Sequence, residues 1–122
     1  MTSQAVELLC PSGPIASAMP SYEPRPEQLA MAEAVESAFA DGVHLLAEAG
    51  TGVGKSFAYL LPAIIEIQKG RRVIITTYTI ALQEQLISKD IPFLQSCLDL
   101  PFRAALAKGR NCLLYTSPSP RD

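Results

Sequence analysis

A glycine-rich segment near the middle of the chain constrains the fold more than any other feature. It runs Ala49-Gly50-Thr51-Gly52-Val53-Gly54-Lys55-Ser56, between an apolar run at 43–47 and a helical pattern that begins at Lys55. Glycines allow positive φ values, and they let backbone N–H groups approach a phosphate without a Cβ in the way. A buried strand, such a turn and then a helix are the context of a phosphate loop. The pattern therefore predicts that residues 49–56 bind the phosphates of a nucleotide.

The last two residues of this loop supply the chemistry. Lys55 can reach the β- and γ-phosphates as a point charge, and the Ser56 hydroxyl can ligate Mg²⁺. The helix that follows adds the positive end of its dipole. A glycine-rich turn without chemical function is the alternative, and the flanking strand and helix patterns argue against it. We therefore expect ATP and Mg²⁺ as cofactors, catalytic roles for Lys55 and Ser56, and Ser56 as the metal ligand.

Short apolar runs alternate with helical patterns along the chain. Apolar residues at helical spacing predict one helix that begins at Pro26 and ends at Gly42, and another from about residue 55 to Gly70. Buried strands are predicted at 43–47, 72–77 and 102–107. Parallel strands need crossover helices of this kind. The sequence predicts an α/β P-loop fold: a parallel sheet with crossover helices, truncated after about three strands.

Composition excludes several other classes of protein. The chain has 122 residues, of which 48% are hydrophobic and 18% charged, with a net charge of −2, so we expect one globular domain without a global basic field. Its three cysteines are widely spaced, which fits neither a disulfide framework nor a zinc site. Prolines interrupt the N-terminal segment, unlike a signal peptide, and the apolar stretch at 57–65 is too short for a membrane span. We expect a soluble cytoplasmic protein with no membrane partner.

Three residues around the start of the first predicted helix form a candidate site for adenine. The amide of Gln28 can donate and accept, which suits the N6 and N7 edge of adenine. Tyr22 offers an aromatic face for stacking, and Arg25 lies between the two. The alternative is that Arg25 and Gln28 belong to a solvated face or a helix cap.

Four motifs in this order resemble the first motor domain of the DinG/XPD-like branch of superfamily 2 helicases, of the DinG type. They are Tyr22-Glu23-Pro24-Arg25-Pro26-Glu27-Gln28, the segment 48–56, the segment 76–86 with Ser88-Lys89-Asp90, and Lys108-Gly109-Arg110. The resemblance implies a RecA-like domain of an ATP-dependent DNA helicase that acts in DNA repair or replication. It also implies 5′-to-3′ unwinding, Tyr22, Arg25 and Gln28 as nucleotide-binding residues, and Ala49 as a mark of subtype where the general pattern has glycine.

The same resemblance implies a path for single-stranded DNA after the second strand. By position, Thr77, Tyr78 and Thr79 would contact it, through hydroxyl or backbone N–H groups on phosphates and through the Tyr78 ring on a base. The alternative is that Thr77 finishes a strand and Thr79 caps the next helix. We expect a monomer whose partner is single-stranded or forked DNA.

Other parts of the family's machinery are not found in the sequence. The acidic DE-x-H motif is missing, so we expect weak ATP binding and poor turnover from this chain alone. The family's [4Fe–4S] cluster lacks its ligands here, since the expected first cysteine position falls on Tyr115 and Cys112 comes too early. Residues 112–122 resemble a translated sequencing adapter. We divide the chain into a loop-rich lead-in at 1–24, a partial ATP-binding domain at 25–110, and a non-native or disordered tail at 111–122.

Two other functions stay open at this point. One is a different P-loop enzyme such as a nucleotide kinase, which would need a lid for the phosphate acceptor; the segment 77–86 argues against it. The other is a nucleotide- or DNA-binding module without catalysis.

Overall fold

The computed structural model describes residues 3–19, 21–50 and 55–107. The helices in these ranges are α1 (Gln4–Leu9), α2 (Pro14–Ala18), α3 (Pro26–Asp41), α4 (Lys55–Gln68), α5 (Ile80–Gln85), a π-helical turn (Leu86–Asp90) and α6 (Ile91–Cys97). The two long helices, α3 and α4, pack against each other, and α1 contacts both. Within the described ranges, no helix combines the length and apolar character needed to cross a bilayer.

Both long helices end at glycines, as the sequence predicts. Gly42 has φ of 67° and Gly70 has φ of 88°, values in the left-handed region that side chains with a Cβ rarely adopt. After Gly42, the Val43 N–H donates to the carbonyl of Ala38 at 3.1 Å, and after Gly70 the Arg71 N–H donates to the carbonyl of Glu66 at 3.2 Å. These bonds satisfy carbonyls that the helix ends would otherwise leave open. The predicted bounds of α3 and α4 are therefore confirmed.

Helix α4 is the centre of the core. Eight of its residues are buried: Ala58, and after the half-buried Tyr59 the unbroken run Leu60, Leu61, Pro62, Ala63, Ile64, Ile65 and Glu66. A helix that is apolar on most of its circumference must be covered on most sides. The residues buried in the same cluster come from the other helices and from Leu98, which follows α6; they include Leu9, Ile15, Ala32, Leu86 and Leu94.

The buried carboxylate of Glu66 lies at the end of this helix. Its Oε2 accepts a hydrogen bond from Lys69 Nζ at 3.1 Å, and Arg71 Nη1 lies 3.1 Å from its Oε1. Both cations are more than half exposed, whereas Glu66 is 2% exposed. The Oε1 atom has no aligned hydrogen-bond donor in the described structure, so Arg71 interacts with it mainly through charge. The contacts of Glu66 with Lys69 and Arg71 hold the residues that follow α4 against the end of the helix.

A π-helical turn joins α5 to α6. The Ile91 N–H donates to the carbonyl of Leu86, five residues back, and the backbone at Leu86, Asp90 and Ile91 stays right-handed. Pro92 follows directly, and a proline at that position has no N–H and crowds the carbonyl four residues earlier. The wider turn accommodates this ring without ending the helix. The chain therefore keeps a continuous helical path across Pro92.

The N-terminal segment differs from its prediction. The sequence predicts a loop-rich lead-in at 1–24 with one short helical turn. The structure instead has two helices there, α1 at Gln4–Leu9 and α2 at Pro14–Ala18. Ala5, Leu9 and Ile15 are fully buried in the core cluster. Helices this short are not stable alone, so their stability comes from packing on α3, α4 and α6, which local composition does not reveal.

A carboxylate from α3 caps the start of α1. Glu36 accepts hydrogen bonds from the Ala5 N–H at 3.1 Å, from the Gln4 N–H at 3.3 Å and from the Ser3 hydroxyl. Ser3 in turn accepts from the Val6 N–H at 3.2 Å. A negative charge at a helix N-terminus is stabilising, because the first N–H groups lack partners within the helix.

We expect Glu36→Gln to lower the free energy of unfolding by about 1 kcal/mol, because the amide removes the negative charge and points donors toward donors. Urea denaturation followed by circular dichroism measures the change. Glu33→Gln, at an exposed position on the same helix, is the matched control and should have little effect. Equal losses for the two variants would contradict the cap.

The predicted parallel sheet is not confirmed. Residues 43–47, 72–77 and 102–107 form no strand, and no ladder of inter-strand hydrogen bonds occurs among the described residues. Several apolar side chains there are exposed, with Leu46 at 100% and Ile74 at 80%. An apolar run indicates a tendency to be buried, but a strand also needs a neighbour to pair with, and that is a non-local requirement.

The predicted tail at 111–122, including Cys112, lies outside the described residues.

Candidate nucleotide-binding site

The structure describes the two ends of the phosphate-loop segment, residues 49–50 and 55–56. Ala49 is half-buried and Gly50 is exposed, with open space around the position where a Cβ would stand at Gly50. Thr51, Gly52, Val53 and Gly54 lie outside the described residues. On the far side, α4 begins at Lys55, which is the start that the motif predicts.

Lys55 and Ser56 are the first two residues of a 14-residue helix. Lys55 is exposed and Ser56 is half-buried. No acidic residue occurs in the first turn of α4, so the positive end of the helix dipole and the ammonium group reinforce each other. The arrangement suits an anion, and a hydroxyl beside it is a suitable ligand for Mg²⁺.

Tyr22 and Gln28 are in direct contact. The Tyr22 hydroxyl lies 2.9 Å from the carbonyl oxygen of Leu9 and 3.0 Å from Gln28 Oε1, and its single proton can be donated to either acceptor. Gln28 is 3% exposed, so the alternative of a solvated face is wrong for this residue. Burial, with a smaller contribution from the charge of Cys10, raises the pKa of Tyr22 to about 12. The hydroxyl therefore keeps its proton and acts as a donor.

Arg25 has a different environment. It occupies the N-cap position of α3 with an exposed side chain that makes no capping hydrogen bond. Its carbonyl accepts from the Leu29 N–H at 3.0 Å, which is the first bond of the helix. The structure brings Tyr22 and Gln28 together, and Arg25 stays on the surface, as the alternative of a solvated helix start predicts.

The candidate DNA-contact residues precede α5. Thr79 Oγ1 accepts from the Leu82 N–H at 3.2 Å, so the predicted helix cap is confirmed. Thr77 Oγ1 donates to the Thr79 carbonyl at 3.1 Å. Tyr78 is fully exposed, so its ring is accessible for stacking. A contact of any of the three with DNA stays a prediction.

The described cysteines differ in their surroundings. Cys10 Sγ donates to the Glu7 carbonyl at 3.1 Å and lies 3.3 Å from Ser12 Oγ, and the Ser12 hydroxyl lowers the pKa of this thiol. Cys97 packs against the core cluster, where burial raises its pKa. The described part of the chain holds no group of three or more His, Cys, Asp or Glu side chains suited to a metal ion.

One contact of Tyr22 could not be predicted from side-chain types. Leu9 contributes its main-chain carbonyl to the Tyr22 hydroxyl, and its side chain is fully buried. A carbonyl carries no residue-type signature, so only the fold of the N-terminal segment could reveal it.

Comparison with known proteins gives consistent similarities. The family profile described as "DEAD/DEAH box helicase" matches residues 25–111. The chain is 43% identical over 94 residues to "3'-5' exonuclease DinG" of Bacillus subtilis, covering 76% of this chain and 10% of that protein. It is 45% identical over 101 residues to "ATP-dependent DNA helicase YoaA" of Escherichia coli, covering 83% and 15%. It is 51% identical over 88 residues to "ATP-dependent helicase DinG" of Mycobacterium tuberculosis H37Rv, covering 68% and 13%.

The chain thus spans between 10% and 15% of the length of these three relatives. No solved structure matches it significantly.

Proposed function

Since this chain belongs to the DEAD/DEAH box helicase family, we propose that it is the ATP-binding part of an ATP-dependent DNA helicase of the DinG type. The observation that carries the proposal is the family match over residues 25–111, which includes Lys55 and Ser56 at the start of α4. Two of the relatives are named as ATP-dependent helicases. This favours a helicase over a nucleotide kinase.

Family membership implies the P-loop NTPase fold. In its finer form, the proposal is a RecA-like parallel sheet with crossover helices, in an ATP-binding domain at 25–110. Residues 73–77 support it, because they line an apolar groove of about 410 Å³ together with Val35 and Phe39 of α3 and Tyr59 and Ala63 of α4. A strand of an α/β sheet lies against helices in this way. Exposed Leu46 and Ile74 are side chains that helices packed on the faces of such a sheet would cover.

In the proposed site, the phosphates lie at the start of α4. The glycine-rich sequence of 49–54 is of the kind that binds phosphates through backbone N–H groups, and Lys55 would neutralise charge on the β- and γ-phosphates. The Ser56 hydroxyl would hold Mg²⁺, which would supply stabilisation of the charge that develops on the phosphates. Exposed Lys55, half-buried Ser56 and the absence of carboxylates in the first turn of α4 fit these cofactors.

For the base, the proposal assigns Gln28 to the N6 and N7 edge of adenine, with Tyr22 and Arg25 beside it. The proximity of Tyr22 to Gln28 supports this grouping, since the Tyr22 hydroxyl oxygen lies 3.0 Å from Gln28 Oε1. Arg25, exposed at the start of α3, is suited to the outer part of the nucleotide.

Single-stranded or forked DNA is the proposed partner of the whole protein, which we expect to be a cytoplasmic monomer that acts in DNA repair or replication. Thr77, Tyr78 and Thr79 are the proposed contacts, and the fully exposed ring of Tyr78 supports stacking on a base.

An iron–sulfur cluster does not fit the residues of this chain. A [4Fe–4S] cluster takes four cysteine thiolates. The sequence has three cysteines, and of the two that the structure describes, Cys10 lies beside α1 and Cys97 packs on the core from α6.

The experiment that tests the proposed function is ATP hydrolysis by the full-length protein with and without single-stranded DNA. We expect DNA to stimulate hydrolysis several-fold, because a translocating motor couples the two sites. Hydrolysis that does not respond to DNA would contradict the helicase assignment, and a lack of ATP binding would contradict the nucleotide site itself.

A further inference from the structure

Two aromatic rings stack at the phosphate-binding end of α4. The ring of Phe57, in the first turn of α4, lies against the ring of Phe93 in α6, with centroids 5.9 Å apart and planes inclined by 20°. Both residues are half-buried and pack against the core cluster. Rings stacked at such a distance attract each other beyond the effect of their burial. The stack therefore joins the start of α4 to α6.

Phe57 directly follows Lys55 and Ser56, the residues proposed to hold the phosphates and Mg²⁺. Residues two apart on an α-helix point about 200° apart around its axis, so the Phe57 ring packs against protein while Lys55 is exposed on the other side. Helical backbone geometry fixes the relative positions of these three neighbours. A displacement of the Phe57 ring would therefore displace Lys55 and Ser56 as well.

Phe93 belongs to a helical path that begins beside the proposed DNA contacts. The path covers residues 80–97, comprises α5, the π-helical turn and α6, and has Thr79 as its N-cap. Near its start, Leu82 lines the apolar groove together with Tyr59 of α4. Near its end, Phe93 stacks on the first turn of α4. The path therefore runs beside α4 from the DNA-contact segment to the phosphate-binding end.

We propose that Phe93 is a positioning residue that transmits DNA binding at residues 77–79 to the phosphate-binding end of α4, through its stack on Phe57. The inference rests on the proposed function, with its phosphate site at the start of α4 and its DNA contacts at 77–79. It deepens that function by naming the contact through which single-stranded DNA regulates ATP hydrolysis.

The regulation needs two arrangements of the phosphate site that DNA distinguishes. A ligand shifts such an equilibrium only by interacting differently with the two arrangements. DNA at residues 77–79 acts on the start of the path 80–97, and the stack passes a shift of this path to Phe57 and so to Lys55 and Ser56. A stack that served only to stabilise the fold would affect hydrolysis equally with and without DNA.

Phe93→Leu removes the ring and keeps an apolar side chain. ATP hydrolysis by the full-length protein, with and without single-stranded DNA, gives the factor by which DNA stimulates hydrolysis. We expect this factor to fall about two- to fivefold, with hydrolysis in the absence of DNA nearly unchanged. Phe93→Tyr keeps the ring and should keep the factor. Phe102→Leu is the matched control, because Phe102 is also half-buried and packs against the core cluster but is not part of the stack.

A double-mutant cycle shows whether Phe93 acts through Phe57. Phe57→Leu should lower the stimulation factor as Phe93→Leu does, and the double variant should lower it no further than either single variant. Thermal melting followed by circular dichroism gives the stability of each variant, and hydrolysis is compared at a temperature at which all of them are folded. If Phe93→Leu does not fold, Phe57→Leu tests the same contact from the other side.

Four results would each overturn the positioning role. They are an unchanged stimulation factor when the stack is removed, an equal fall of hydrolysis with and without DNA, the same loss of stimulation in Phe102→Leu, and additive effects in the cycle.

The same data separate the inference from the function on which it rests. If the unmodified protein hydrolyses ATP without responding to DNA, the proposed function is wrong, and the inference is wrong with it. If the unmodified protein responds to DNA and Phe93→Leu responds equally, the proposed function stands and only the positioning role of Phe93 is wrong.

Discussion

Lys55→Ala is expected to weaken ATP binding about ten- to a hundredfold, because it removes a charge-assisted contact to the phosphates. Lys55 is exposed at the first residue of α4, where the positive end of the helix dipole adds to its charge and no carboxylate of the first turn opposes it. In the full-length protein we expect a still larger fall in ATP hydrolysis, because the same ammonium group stabilises charge that develops on the γ-phosphate during transfer. Titration with a fluorescent ATP analogue measures the first effect, and steady-state phosphate release the second.

Lys89→Ala is the matched control for this variant. Lys89 is also an exposed lysine, but it lies in the π-helical turn between α5 and α6. Lys89→Ala removes the same unit of charge as Lys55→Ala. A difference in ATP affinity between the two variants would therefore come from the position of the lysine and not from the net charge. ATP binding that is equally weakened by both would mean that the contact is a diffuse electrostatic effect. Binding unaltered by Lys55→Ala would show that residues 49–56 are a turn without chemical function.

The parts of the fold that follow from short-range chemistry could be predicted from the sequence. Gly42 and Gly70 end α3 and α4 because left-handed backbone conformations favour glycine, and this rule needs no knowledge of the rest of the molecule. The start of α4 at Lys55 follows from the spacing of the loop motif. Thr79 caps α5 for an equally local reason.

The parts that depend on distant residues could not be predicted in this way. Helix α1 begins where Glu36, more than thirty positions away, accepts its first N–H groups. The π-helical turn before Pro92 accommodates the proline while the residues on both sides stay packed, since Leu86 and Leu94 both belong to the core cluster. The apolar run at 43–47 indicates a buried strand, but the partner that would pair with it cannot be deduced from the run itself.

The candidate site shows the same division. Tyr22 and Gln28 could be selected from the sequence because an aromatic ring and an amide before a phosphate loop suit an adenine base. Their mutual hydrogen bond, and the role of the Leu9 carbonyl, depend on how α1 folds back against α3. Residue types could therefore select the candidate residues, and the structure supplied the contacts between them.

A pair of leucine substitutions tests this division directly. Leu61→Ala should lower the free energy of unfolding by about 2–5 kcal/mol, because it opens a cavity at a fully buried position in the middle of α4. Since small domains are stabilised by only about 5–15 kcal/mol, this loss should leave a substantial unfolded fraction on mild warming. Urea denaturation followed by far-ultraviolet circular dichroism measures the free energy of unfolding. The slope of this free energy against urea concentration is fitted as one shared value for the two variants.

Leu46→Ala makes the same chemical change in the segment 43–47. Leu46 is fully exposed, so the structure predicts no measurable change in the free energy of unfolding. The sequence alone predicts the opposite, since a leucine in a buried strand should cost as much to truncate as Leu61. Similar losses for the two variants would therefore mean that residues 43–47 are paired and covered in solution. A large loss for Leu61→Ala alone would mean that this chain is stabilised by its helical core and not by the predicted sheet.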